Sequence, residues 1–175
     1  MADAPVATRG FTLIELLVTL SIAAILLTVA VPSYITFIQN NRLVSQANDF
    51  VTMLNYARSE AVKRNQSITV CSRSTDNSCA GSTIWDSGLL VFADNNGNGT
   101  VDAGDTVLQV RQALEGSNTL RAGAQTRVTY QANGFSTGFN DTFRLCDARG
   151  TASARAITVT AQGHVSSSTG TASCP

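Results

Sequence analysis

The sequence predicts an α+β fold in which one long N-terminal helix packs on a small antiparallel β-sheet domain. Three observations carry this reading. An almost uncharged apolar run, FTLIELLVTLSIAAILLTVAV, fills residues 11–31. Apolar residues then recur at helical spacing through Ala61. From residue 67 onward the pattern changes to short alternating segments bounded by Gly, Asn, Asp and Ser, the mark of strands and turns.

The apolar run is about 21 residues long, enough to cross a bilayer as a helix. Its single charge is Glu15. A carboxylate inside such a run costs a few kcal/mol on insertion scales and calls for a partner. A cleaved secretory signal or a plain anchor gains nothing from it, and Asp3 offsets Arg9 in the short segment that precedes the run. Pro32 ends or kinks the run. Beyond it Leu43, Ala47, Phe50, Leu54, Ala57 and Ala61 follow alternating steps of four and three, one buried stripe of a helix. Arg42, Gln46, Asp49 and Arg58 fall off the stripe, and Glu60 and Arg64 form a favourable i,i+4 pair. With Asn65 as the stop, a helix is expected from about residue 12 to about residue 64.

Strands are expected at 67–72, 87–93, 106–114, 127–132, 143–147 and 155–160, with a last short one at 164–166 after the turn Ala161-Gln162-Gly163. Six or seven antiparallel strands in one or two sheets would offer the apolar face that the helical stripe needs. Trp85 is expected in that core.

Net charge is zero, so no global field points to nucleic acid or an acidic substrate. The four cysteines, Cys71, Cys79, Cys146 and Cys174, allow three pairings. Proximity favours Cys71 with Cys79 and Cys146 with Cys174, in an oxidising compartment such as the periplasm. Zinc is the alternative, but no C-x-x-C pair is present and His164 is the one histidine. Enzymatic readings fare poorly: any Ser/His or Cys/His pair would need His164, and no G-x-G-x-x-G or P-loop occurs.

The segment R-G-F-T-L-I-E-L-L, from Arg9 to Leu17, resembles the prepilin signature of type IV pilins and type II secretion pseudopilins. The resemblance implies that prepilin peptidase cuts after Gly10 and methylates the Phe11 amine, leaving the apolar helix on the mature chain. Glu15 would neutralise the ammonium of Phe11 on a neighbouring subunit, since two buried charges that pair cost far less than either alone. The domains would be a leader at 1–10, a membrane or filament-core helix at 11–31, an amphipathic helix at 32–65 and a periplasmic β-rich head at 66–175. The order of helix, cysteine-bearing strand, W-x-x-G-x-x-V-F from Trp85 to Phe92, an N-x-N-G-x-x-D stretch from Asn96 to Asp102, F-x-L-C-D from Phe143 to Asp147 and a final hairpin is similar to the minor pilins of the GspH/FimT group. That likeness implies a pilin-like fold and a minor pilin at or near a pilus tip, helping initiate assembly. The alternatives are a type II secretion pseudopilin and a DNA-binding pilin for natural transformation. Partners would be other pilin or pseudopilin subunits, prepilin peptidase and the inner membrane, spanned once before entry into the filament.

Two further sites are open. Asp94, Asn96, Asn98, Asp102 and Asp105 occupy positions 1, 3, 5, 9 and 12 of a calcium-type loop with Gly99 at the turn. Position 12 is Asp where such loops carry Glu, and a polar connecting loop with Asn and Gly at positive φ explains the same residues. Otherwise no cofactor is expected. For DNA, Arg144, Arg149 and Arg155 lie near one another in sequence and could meet phosphates. The Gly-Arg-x-Arg stretch of DNA-binding relatives is Gly163-His164-Val165-Ser166 here, without either arginine.

Overall fold

A computed structural model describes residues 10–174. Most of the implied leader, 1–9, lies outside the described residues. The chain divides into two compact units, Met1–Ile38 and Gln39–Pro175. The elements are α1 (Leu13–Arg64), β1 (Ile68–Ser72), β2 (Leu89–Ala93), β3 (Thr106–Arg111), β4 (Thr119–Arg121), β5 (Arg127–Tyr130), β6 (Asp141–Cys146), β7 (Arg155–Val159) and β8 (Val165–Thr169).

In the first unit, α1 begins with a cap that its sequence encodes. The Thr12 hydroxyl accepts a hydrogen bond from the Glu15 amide at 3.3 Å, satisfying one of the orphan donors of the first turn. The hydroxyls inside the apolar run are turned back on the helix. Thr19, Ser21, Thr28 and Thr36 donate to the carbonyls of Leu16, Leu17, Ile25 and Pro32 at 2.7–3.0 Å. The outward surface is therefore hydrocarbon. From Phe11 to Ile38 the large apolar side chains are exposed, and the helix is long and apolar enough to cross a membrane.

In the second unit, Leu43, Ala47, Phe50, Leu54, Ala57 and Ala61 are all buried, joined by Met53. Burying Leu43, Phe50, Met53 and Leu54 contributes on the order of 1.5–3 kcal/mol each. The three alanines of the stripe are fully buried as well. Asn65 stops the helix at φ 53°: its amide donates to Val62 O and that of Gln66 to Ala61 O, a Schellman closure.

Two four-stranded antiparallel sheets follow, ordered β3-β2-β1-β5 and β4-β6-β7-β8. In the first sheet Ile68, Val70, Leu89, Val91, Val128 and Tyr130 join the main core with the helix. The opposite face carries a smaller cluster of Cys71, Leu90 and Phe92. In the second sheet Phe143, Leu145, Ile157, Val159 and Val165 enter the main core, while Cys146, Ala154, Ala156 and Ala172 cluster separately. Strands thus alternate their faces with period two. At the centre Phe50, Trp85 and Phe143 meet edge to face, with ring centroids 4.8–5.9 Å apart. Such pairs add about 0.5–1.5 kcal/mol each beyond area burial.

Candidate functional site

Gly10, Phe11 and Glu15 lie at the start of α1. A Cβ at Gly10 would meet nothing within 4 Å, so the described fold gives no packing reason for a glycine there. Phe11 is 83% exposed. Glu15 sits at the third helical position after Thr12, and Thr-x-x-Glu is the capping-box pattern. Of that pattern the Thr12 half is made, and sequence reasoning, which treated Glu15 only as a charge, missed the Thr12 cap. Among the described residues its carboxylate makes no ion pair, so the one charge of the run faces outward with its valence unspent.

In the head, Cys71 is bonded to Cys79 and Cys146 to Cys174. The first bond ties β1 to the loop after it. The second fastens the C-terminal segment to β6, with Ala172 buried between.

The calcium-type loop spends most of its oxygens internally, but the buried Asp94 Oδ1 has no hydrogen-bond partner among the described residues. Asp94 is buried, and its Oδ2 accepts from Thr69 Oγ1 at 2.7 Å and from the Gly99 amide at 3.0 Å. Asp102 Oδ2 accepts from the side-chain amides of Asn96 and Asn98. The Asn96 bond, with help from the Gly104 amide and Asn98, holds the Asp102 carboxyl below the usual range. Asp105 accepts from the amides of Asn95 and Asp102. Arg127 closes the loop from the side, donating to Asn98 O at 3.0 Å and stacking on Phe139. Among the described residues no group of three or more His, Cys, Asp or Glu side chains is placed to hold a metal ion.

The three candidate DNA contacts do not converge. Arg144 pairs with Ala156 across β6 and β7, whereas Arg155 pairs with Leu145. Adjacent positions of one strand face opposite sides, so Arg144 and Arg155 lie on different faces. Arg149 is held by Asp147 Oδ2, which accepts from Nε at 2.9 Å and Nη2 at 2.6 Å, and by Asn40 Oδ1 at 2.8 Å. His164 is exposed beside the β7–β8 turn and Trp85 is fully buried.

One buried charge escaped the sequence reading. Glu60 is buried on α1 in the second unit, where Arg64 Nε at 2.5 Å and Lys63 Nζ at 3.2 Å hold its carboxyl below the ordinary range. The i,i+4 spacing announced the Arg64 pair but not the burial. Near it Arg58 donates to the carbonyls of Gly134 and Gln162, tying the helix to two turns. Gly163, at φ 76°, passes so close that an added Cβ would fall 2.2 Å from Gly134 O.

The model of the type II transport protein GspH family matches residues 46–163, well over half of the chain. The prokaryotic N-terminal methylation motif matches residues 7–31. Among solved structures, the crystal structure of the type IV minor pilin FimU of Pseudomonas aeruginosa is similar at 25% identity and a TM-score of 0.59, covering 79% of this chain and 96% of that one. A second crystal form of FimU gives 24% identity and a TM-score of 0.57, covering 75% and 97%. No curated protein matches. The chain, with its apolar N-terminal helix, methylation motif and pilin fold, belongs to the GspH family.

Proposed function

We propose that the chain is a minor pilin of a type IV pilus that helps initiate assembly or sits at or near the tip. The observation that carries this is α1 itself: a hydrocarbon-faced helix, exposed from Phe11 to Ile38, with one acidic side chain at its third position. Such a surface has no partner within its own unit and has to be covered by lipid first and by other subunits later. In this reading residues 1–10 are a leader removed by prepilin peptidase after Gly10. Residues 11–31 cross the inner membrane once, residues 32–65 carry the amphipathic helix onward, and 66–175 form a periplasmic head. The amine of Phe11, methylated and charged, meets Glu15 of a neighbouring subunit. That contact sets axial register, as one polar group does in a coiled coil. The disulfides Cys71–Cys79 and Cys146–Cys174 brace the head, and the 94–105 loop connects β2 to β3. The protein works by assembly, without a catalytic centre.

The family's own description, a type II transport protein, favours a second reading, a minor pseudopilin of type II secretion. Deleting the gene separates the two. Loss of surface pili, with the wild-type protein recovered at low copy in sheared pili, supports the first reading. Intact pili with failed protein secretion refutes it in favour of the second. The separation of Arg144, Arg149 and Arg155 disfavours a nucleic-acid stripe, and no shift of duplex DNA in low-salt gels is expected.

A further inference from the structure

The outward face of the second sheet carries a cleft that the assembly role leaves unused. On β6, Phe143 and Leu145 point into the core, and Thr142, Arg144 and Cys146 take the opposite face. The chain after β8 folds back over that face. The Gly170 amide donates to Ala154 O at 2.8 Å, Ala172 is buried, and Cys174 is bonded to Cys146. The returning tail and the turn at Gly123 form the two walls of a cleft of about 610 Å³, floored by Thr142, Arg144 and Thr158. The cleft is shallow and open to solvent.

The charges in this cleft are unequally spent. Asp141 keeps its charge but is turned to main-chain donors: its Oδ1 accepts from the Gly123 amide at 3.2 Å, and its Oδ2 from Ala124 and Gln125 at 2.9 and 2.8 Å. Arg144 has no comparable partner. Its Nη1 reaches Ser173 Oγ only at 3.5 Å and its Nη2 reaches Ala122 O at 3.4 Å, both at the limit of a hydrogen bond. Its Nε is buried with no acceptor among the described residues. Arg121 and Arg149, by contrast, are each paired with an aspartate. A guanidinium with unmet donors in a hydroxyl-lined cleft is a receptor for an oxygen acid.

We infer that this cleft is a carboxylate-binding subsite, with Arg144 as the charged donor and Ser173 as a hydroxyl donor on the wall closed by the Cys146–Cys174 bond. One guanidinium beside an amide-capped carboxylate suits a single, terminal, singly charged group. A polyanion needs a row of cations along its length, and Arg149 and Arg155 are turned elsewhere. The planar fork of arginine matches the two oxygens of a carboxylate. The site depends on the disulfide, since the tail that bears Ser173 is fastened there.

The test is a titration of the full-length chain in detergent micelles, labelled with ¹⁵N at arginine and serine. Acetate and N-acetylglycine serve as probes, with chloride at matched ionic strength as control and inorganic phosphate as a separate arm. The expected result is a saturable shift of one arginine Nε–H signal, the one missing in Arg144→Gln, together with the Ser173 amide. Ser173→Ala should weaken the apparent affinity roughly two- to tenfold, as loss of one hydrogen bond does. Arg149→Gln should leave it unchanged. Paired Cys146→Ala and Cys174→Ala should abolish saturation while the emission of Trp85 stays that of a buried indole. The inference is overturned if all arginine signals drift together without saturation, if phosphate saturates and acetate does not, or if the Ser173 amide responds equally in Arg144→Gln.

Discussion

Removing the Cys146–Cys174 bond should destabilise the head by an amount that follows from its position in the chain. The bridged residues are 28 apart. Closing a loop of that length in the unfolded chain lowers its entropy by about 12 cal/mol/K, or about 3.6 kcal/mol at 25 °C. The unit that unfolds spans Gln39–Pro175, which is 175 − 39 + 1 = 137 residues. At about 2.1 cal/mol/K per residue its unfolding entropy is about 290 cal/mol/K, so the loss should lower Tm by about 12 °C. Replacing both cysteines by alanine leaves the packed neighbours Ala154 and Ala156 with small contacts to lose, which keeps packing changes modest. The assay is thermal unfolding of the full-length chain in detergent, followed through Trp85, the one tryptophan and a fully buried one. A Tm within about 3 °C of the parent would refute the reasoning, because the tail would then contribute no constraint to the folded head.

Glu15→Gln keeps the capping pattern Thr-x-x-Gln but removes the charge. It should be processed normally yet fall out of sheared pili about as severely as Glu15→Leu, as measured by immunoblot; normal incorporation of the glutamine variant would leave Glu15 a helix cap only. Tyr130 is buried and its hydroxyl has no partner among the described residues, so Tyr130→Phe should stabilise the head by about 1 kcal/mol in denaturant titration. Burial pushes the Tyr130 phenol above its ordinary value of 10.0. Unfolded chains ionise first, so stability holds below pH 10 and falls as pH rises past it, and the phenylalanine variant should lose that fall. Glu60 gives the opposite limb. Arg64 and Lys63 keep its carboxyl below the ordinary 4.5, so its contribution is present above pH 4.5 and is lost as pH falls through the folded value. Glu60→Gln should flatten that acid limb in pH-dependent melting.

The long helix was legible because its signals are local: an apolar run, a four-three stripe and a closing Asn65. Strand positions were legible from short apolar runs bounded by turn residues, as in β2, where Leu89, Val91 and Ala93 are buried on one face and Leu90 and Phe92 on the other. β4 was not, because three residues, Thr119–Arg121, are too short to show alternation. β8 runs on to Thr169 through Ser166, Ser167 and Ser168, all exposed, so no apolar period marks its length. The strand expected through Leu114 stops at Arg111, because the Leu114 amide turns to the carbonyl of Asp86 beside Trp85. Of the candidate sites, the N-terminal motif could be read directly, since its chemistry lies within six residues. The Arg144 cleft could not, although the Cys146–Cys174 bond was expected, because the face of β6 that the tail covers is set by pairing with β4 and β7. Nor could the fate of the 94–105 loop be read, since its partners Thr69 and Arg127 come from β1 and β5.

The most direct measurement is the intact mass and N-terminal sequence of the protein purified from its own cells. The expected product starts at Phe11, carries one methyl group on its amine and retains residues 11–31. A product still starting at Met1, or one from which the apolar helix has been removed, would contradict the assembly role of Phe11 and Glu15.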